Sequence, residues 1–536
     1  MERLLIVGSG ASGVHFALTV LKKGYDVLMV DVGSARPAPV NPRQSFNQLK
    51  SSLRDPARYF LGEDYQGVVG PSVHHEYYGF PASKQYVFSR PSHFAVEASG
   101  FHPLFSFAQG GLAEVWTGGV YPLNEGELED FPFGYTDLEP YYHEVARRIG
   151  ITGVKDDLSR FFPFHDHLLE PLRLDPHSER LLAAYEWSKE YLTRRLGCYM
   201  GRSRVAALSM DRGTRKACSY LGRCLAGCPT GALYTPSMTL QECLEYPNFT
   251  YLPRQFVSHL RFGADGRIAS AVTESVDGGS LQEFTADRFI LAAGTLCSSQ
   301  IYLMSVLRGT GELVELPGLM DNRQILVPFV NLKMIGEPYD PDSYQYHQLA
   351  MGIDGDTPKA YVHGQITTLK TALVHAIIHN LPLDLATSLF VFRHVRAGLG
   401  VVNLNFCDVR RAENVVTLSD DRRTSRPRLQ IRYVAPAHER DGLGRAVKVV
   451  RKALWKLGCV VPPGMTHVRP MGASVHYSGT LPMSRAGGPH TVSPECRSQA
   501  IGNLYVVDGT TFPFLPAKNL TFTLMANAVR VADQAF

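Results

Sequence analysis

Two kinds of apolar spacing open this chain, and both return near its end. Leu4-Leu5-Ile6-Val7 is a short apolar run, which predicts a strand. From Ala11 the apolar positions take helical spacing through Phe16, Ala17, Val20 and Leu21, and Gly24 ends that pattern. Val27-Leu28-Met29-Val30 predicts a second strand, which finishes on Asp31. Further on, Phe249–Leu252, Phe256–Phe262, Ile268–Glu274 and Phe284–Leu291 read as strands, separated by turn signals such as Gly263-Ala264-Asp265-Gly266. The last runs into Ala292-Ala293-Gly294-Thr295, and a helical pattern follows through Gln300, Ile301, Leu303 and Met304.

Ile325–Met334, Leu399–Phe406, Val415–Leu418 and Leu429–Tyr433 predict an antiparallel sheet in a second domain. Asp441–Leu457 is amphipathic, with Leu443, Ala446, Val447, Val450 and Leu454 on one face. A strand and turn over Asn503–Thr511, prolines at 513 and 516, and a helix through Met525, Ala528 and Val531 close the chain. Residues 155–216 read as mostly helical, and a solvated face accounts for Arg194, Arg195, Arg202 and Arg204. Residues 41–108 read as loops with short elements.

The glycines give the first strand and helix a chemical meaning. Gly8-Ser9-Gly10-Ala11-Ser12-Gly13 lies between them, where only glycine lets backbone approach a pyrophosphate. The helix that starts there turns its N–H groups and positive dipole end toward an anion. Asp31, after the second strand, can accept from both hydroxyls of an adenosine ribose. The unit predicts a dinucleotide site and leaves FAD and NAD(P) both open. Ala293 and Gly294, at the second strand–glycine–helix junction, could face the same nucleotide. Gly110-Gly111 and Gly118-Gly119 flank Trp116, and either a close approach to a ligand or a tight loop around a packed Trp explains them.

Length and charge set bounds. A chain of 536 residues is too long for one core, so intertwined domains are expected. Lys and Arg number 54 against 50 Asp and Glu, a net charge of +4 with no basic run, which argues against nucleic acid. No apolar stretch is long enough to span a membrane. The nearest, Thr371–Val395, is interrupted by His375, His379, Asp384 and Arg393 and predicts one or two buried or amphipathic helices, with a surface that docks on a membrane or partner as the alternative. The first residues enter a strand directly and the nine cysteines are an odd count, so a cytoplasmic, reducing location is expected, with export beside a partner subunit left open. Cys218, Cys224 and Cys228 stand close together with Pro229 after them, a spacing that can ligate an iron–sulfur cluster; reduced structural cysteines are the other reading.

The motifs together resemble the glucose–methanol–choline (GMC) family of FAD oxidoreductases, most closely its bacterial sugar and sugar-acid dehydrogenase branch. The likeness runs in order through Gly8–Gly13, Gly110–Gly119, Ala292–Thr295, His476-x-x-Gly479-Thr480, Val507-Asp508-Gly509-Thr510, and Asn519-x-x-x-Thr523. The chain departs from the family with Asp31 where Glu is usual and with Leu520 where many members have Pro. The resemblance implies an α/β fold, with a Rossmann-like FAD-binding domain interleaved with an α+β substrate domain on an antiparallel sheet. It assigns 1–40, 105–120, 229–310 and 485–536 to the first, and 121–228 and 311–484 to the second.

It further implies FAD held at its adenosine end by Gly8, Gly10, Ser12, Gly13 and Asp31, with the Val257 backbone at the adenine. Gly110 and Gly111 would lie near the flavin or pyrophosphate, Ala293 and Gly294 beside the nucleotide, and Asp508 and Gly509 at the pyrophosphate and ribityl groups. Asn519 and Thr523 would lie near the isoalloxazine. The implied reaction is oxidation of an alcohol, such as a sugar, amino sugar or polyol, with His476 taking the hydroxyl proton and Asn519 holding the same oxygen. A steroid or aliphatic alcohol is the alternative substrate, and a non-redox FAD lyase the alternative class. In that sugar-dehydrogenase branch three cysteines hold a cluster of the 3Fe–4S type, which would pass electrons to a protein or quinone acceptor.

Overall fold

The computed structural model describes residues 2–63, 81–91, 94–369, 378, 382–419, 427–436 and 439–536. The opening pattern forms the centre of a five-stranded parallel sheet. Arg3–Val7 is its middle strand, with Leu4, Leu5, Ile6 and Val7 buried on both faces, as an unbroken apolar run requires. Asp26–Val30 and Arg288–Leu291 flank it, and Phe249–Leu252 and Leu504–Val506 are the edges. Helices Ala11–Lys22 and Thr521–Gln534 pack together on this sheet, so both ends of the chain build one layer.

The run 284–291 is two strands rather than one. Gln282–Thr285 joins an antiparallel three-stranded sheet with Ile268–Ser275 and Gln255–Phe262, while Arg288–Leu291 enters the parallel sheet. The chain breaks at Asp287, whose carboxylate accepts from the Arg3 N–H at 2.7 Å and whose own N–H donates to Arg3 O.

A seven-stranded antiparallel sheet forms the second body. It runs Cys459–Val460, Gln324–Asn331, Leu399–Asn405, Val362–Thr368, Leu349–Ile353, Cys198–Arg202, with His467–Val468 also on Gln324–Asn331. One face carries Val327, Phe329, Leu349, Met351, Ile366, Val402 and Leu404. Helices Pro176–Leu196 and Glu439–Lys456 cover that face with Leu181, Tyr185, Val450 and Leu454. The alternate positions, Gln324, His363, Gln365, Asn403 and Asn405, therefore point the other way. Val415–Leu418 and Leu429–Arg432 do not join this sheet, contrary to the grouping expected from sequence. They pair with Leu316–Pro317 and Val96–Ser99 in a separate four-stranded sheet, because a strand pattern specifies a face but not a partner.

Two further expectations change. In 155–216 the α-helix is confined to Pro176–Leu196, and Cys198–Arg202 is a strand. Arg204 is not solvated but 2% exposed. Its guanidinium donates to Phe164 O and meets His165 Nδ1 at 2.9 Å, and it lies over the Phe162 ring. Within Thr371–Val395, Leu385–Val395 is helical; 371–377 and 379–381 lie outside the described residues. No described helix is long and apolar enough to cross a membrane.

Candidate functional site

A cleft of about 1290 Å³, solvent included, runs from the carboxyl ends of Arg3–Val7 and Asp26–Val30 to His476. Gly8, Gly10, Ser12, Asp31, Gly110, Gly111, Val257, Ala293, Gly294, His476, Asp508 and Gly509 all line it. Gly13 and Thr523 stand behind the wall. A Cβ on Gly13 would fall 2.1 Å from Gly8 O, so glycine is what lets helix and strand meet there. Thr523 shares a hydrogen bond of 2.8 Å with Tyr142 Oη.

The acidic groups of the cleft are held by donors. Asp31 accepts from the Ser9 N–H at 3.2 Å and from the Ser9 and Tyr251 hydroxyls. Ser9 Oγ in turn accepts from Gly110 N–H at 3.1 Å, which ties the two glycine loops together. Asp508 accepts from Gly294 N–H at 2.9 Å, Ser298 Oγ at 2.5 Å and the Thr510 N–H at 3.0 Å. Burial outweighs these bonds and pushes both carboxyls up to about 6. The backbone cradle of Gly8 and Gly10, beside a helix N-terminus, fits the diphosphate of a dinucleotide, and Asp31 fits its ribose.

At the far end, His476 and Asn519 meet, with Nε2 and Nδ2 3.3 Å apart. His476 follows Val475, a β-branched residue held at φ +64°, a strained backbone of the kind found at functional sites. Ser474 Oγ accepts from the His476 N–H at 3.0 Å, and buried Asp321 accepts from Ser474 Oγ and, at 2.6 Å, from Gly472 N–H. Burial first, then the charge of Arg469, lowers His476 to about 4, so its imidazole is neutral at pH 7. Lys518, next to Asn519, is fully buried and paired with fully buried Glu127 at 2.7 Å.

Residues the sequence did not single out complete this end. Asn322 Oδ1 lies 2.8 Å from His476 Nδ1, and Gln365 Nε2 donates to Asn519 Oδ1. Both partners stand 154 positions away in the chain, and no motif marks them.

Cys218, Cys224 and Cys228 pack with Leu172, Tyr344 and Tyr346 in a small apolar cluster, and all three are free thiols. Burial raises Cys218 to about 11 and pushes Cys224 further up, which favours the thiol over the thiolate a metal needs. Among the described residues no group of three or more His, Cys, Asp or Glu converges as a metal site, so the iron–sulfur expectation finds no support.

A parallel sheet with a glycine turn, beside an antiparallel sheet that faces a His–Asn pair, makes an α/β architecture whose cleft has the glycine turn of a dinucleotide site. Residues 410–528 match the family model described as GMC oxidoreductase. The chain is 23% identical over 568 residues to 2-methyl-1,2-propanediol dehydrogenase of Mycolicibacterium austroafricanum, covering 99% of this chain and 94% of that protein. It is 24% identical over 562 residues to 6'''-hydroxyparomomycin C oxidase of Streptomyces lividus, covering 98% and 90%. The structure of pyridoxine 4-oxidase from Mesorbium loti has the same fold, with a TM-score of 0.59 and 16% identity over 100% of this chain and 99% of that one. Over nearly its whole length the chain is therefore similar to these oxidoreductases, with the match to the GMC oxidoreductase model lying over residues 410–528.

Proposed function

We propose that the protein is an FAD-dependent alcohol oxidoreductase acting on a polyhydroxylated substrate, a sugar, amino sugar or polyol. The observation that carries this reading is the neutral imidazole of His476 at the end of the cleft, 3.3 Å from the Asn519 amide. Gly8, Gly10 and Ser12 hold the diphosphate end of FAD, with Gly13 joining helix to strand behind them, Asp31 the ribose, and Val257 the adenine. Gly110, Gly111, Ala293, Gly294, Asp508 and Gly509 line the remainder, with Thr523 behind. Bound FAD supplies the acceptor for the hydride of the carbinol carbon. His476 Nε2 takes the hydroxyl proton, since a neutral imidazole accepts where an imidazolium cannot. Asn519 Nδ2 donates to the same oxygen, which orients the C–H bond and stabilises developing alkoxide charge.

The substrate class rests on two supports. The relatives are named for a diol and an aminoglycoside. The end of the antiparallel sheet near Asn519 is polar and buried: His347 Nε2, both His363 nitrogens and Tyr361 Oη have no hydrogen-bond partner among the described residues. Such atoms cost free energy unless a hydroxylated ligand or water reaches them.

The test is anaerobic flavin reduction by a panel of hexoses, amino sugars, polyols and monohydric alcohols. His476→Ala is expected to keep the flavin spectrum and to lose about 10²–10⁴-fold in reduction rate. Reduction of the variant at the wild-type rate overturns the assignment of the base.

A further inference from the structure

Gln365, Asn519, His476 and Asn322 form a chain in which every donor points the same way. Its direction is set at the buried end. Asn322 is 1% exposed, and its Nδ2 donates to Phe406 O at 2.7 Å and Pro516 O at 2.8 Å. Carbonyls only accept, so the amide cannot be turned round without setting oxygen against oxygen twice. Asn322 Oδ1 therefore faces His476 Nδ1, at 2.8 Å. An amide oxygen also only accepts, so Nδ1 carries the proton. A neutral imidazole has one N–H, which leaves Nε2 with a bare lone pair.

The Gln365 end agrees. Gln365 Nε2 donates to Asn519 Oδ1, which turns Asn519 Nδ2 toward His476 Nε2. A flipped Asn519 would set its NH₂ against that of Gln365 and its oxygen against the lone pair of His476. Both flanking residues belong to the second body: Gln365 to the strand Val362–Thr368, and Asn322 just before Gln324–Asn331.

We propose that Asn322 and Gln365 are positioning residues, whose amides impose this one-way order and so make Nε2 of His476 the atom that takes the substrate's proton. The proposal rests on the reading of His476 as the base. The choice of amides matters as well. An aspartate at 322 would also orient the ring but would stabilise the imidazolium; an asparagine orients it without holding the proton there. The charged or titratable groups that influence His476 or are influenced by it are Arg469 and His363.

The experiment compares wild type with Asn322→Asp, Asn322→Leu and Gln365→Glu, each first shown to retain FAD and the wild-type melting temperature within a few degrees. Histidine ¹⁵N NMR, with the His476 signal assigned by difference from His476→Gln, reads the tautomer without turnover. The wild type is expected to give a protonated Nδ1 and a bare Nε2, and Asn322→Leu a tautomer mixture. A wild-type tautomer in Asn322→Leu overturns the proposal, as does a protonated Nε2 in the wild type. In Asn322→Asp the base's pKa in kcat/KM is expected to rise by about one unit or more, the effect of a carboxylate beside an imidazole. In Gln365→Glu the carboxylate turns Asn519 over and calls for a proton on Nε2, and kcat is expected to fall about 10²–10⁴-fold, as wrong-tautomer variants do, with KM within a few fold. If His476→Ala abolishes reduction while the pH profile of Asn322→Asp overlays that of wild type, this proposal falls and the base assignment stands. If His476→Ala reduces flavin normally, both fall.

Discussion

The Lys518–Glu127 pair offers a strong test of how the Asn519 loop is held. Both side chains are fully buried, 2.7 Å apart. Lys518 Nζ also donates to Pro122 O at 2.8 Å and Phe161 O at 3.0 Å, and it lies over the rings of Phe162 and Tyr361. Glu127 has a second partner in the Asn124 N–H, at 2.8 Å. Lys518→Met leaves the methylene stem in place and removes the charge. Glu127 is then a buried carboxylate whose counter-ion is gone, a loss of about 3–5 kcal/mol. For a chain of 536 residues unfolding as one unit, an entropy of about 2.1 cal/mol/K per residue turns this into a Tm lower by about 3–4 °C, and by more if only part of the chain melts. Adding Glu127→Gln to Lys518→Met removes the stranded charge and is expected to restore most of the loss. The assay is a double-mutant cycle by calorimetry at fixed scan rate and FAD content. A single variant melting within about 1 °C of wild type, or a double variant no better than Lys518→Met, refutes the reasoning.

Stability also carries a pH signature. Burial lowers His347 to about 3, so the unfolded chain, with an ordinary imidazole near 6.5, binds the extra proton first as pH falls. The cost is absent above about pH 6.5 and grows toward pH 3, reaching about 2 kcal/mol at pH 5. His347→Gln is expected to lose less stability than wild type between pH 7.5 and pH 5 by about that amount, read as the difference in Tm; equal losses refute it. Asp31 and Asp508, both raised to about 6, act with the opposite sign and gain stability over the same acidification, so the comparison is made variant against wild type. Gly13→Ala puts a Cβ 2.1 Å from Gly8 O, a backbone atom that cannot yield. It is expected to cost about 1–3 kcal/mol and to empty the cleft of FAD, read as the 450 to 280 nm absorbance ratio; wild-type flavin content refutes it.

The first thirty residues were legible because everything they encode is local. An unbroken apolar run, a glycine turn and a helical spacing make one unit with no help from distant chain, and Arg3–Val7, Ala11–Lys22 and Asp26–Val30 form as the pattern implied. Asp441–Leu457 was legible for the same reason and is the helix Glu439–Lys456. Partnership was not. Val415–Leu418 has the bounds its pattern implied, yet it pairs outside the seven-stranded sheet, since alternation says which side is buried and not beside whom.

The illegible part of the site has a more specific cause. Along Val362–Thr368 the side chains alternate, with Val362 and Ile366 in the core under the helices and His363 and Gln365 on the other face. Read as a half-buried strand, that alternation sends His363 and Gln365 to water. Instead they are 0% and 6% exposed, because Tyr121 and Phe162 pack against His363 and Asn519 lies against Gln365. Arg204 is a second case: its charge suggests solvent, yet it lies buried among carbonyls and rings. Polar residues on a sheet face that another domain covers are costly to bury and must be satisfied by partners across the gap. Gln365 finds one in Asn519, and Asn322 in His476. His363 finds none among the described residues. The face that periodicity assigns to water is therefore the one that meets the Asn519 loop, and distant residues rather than solvent satisfy the polar groups that find partners there.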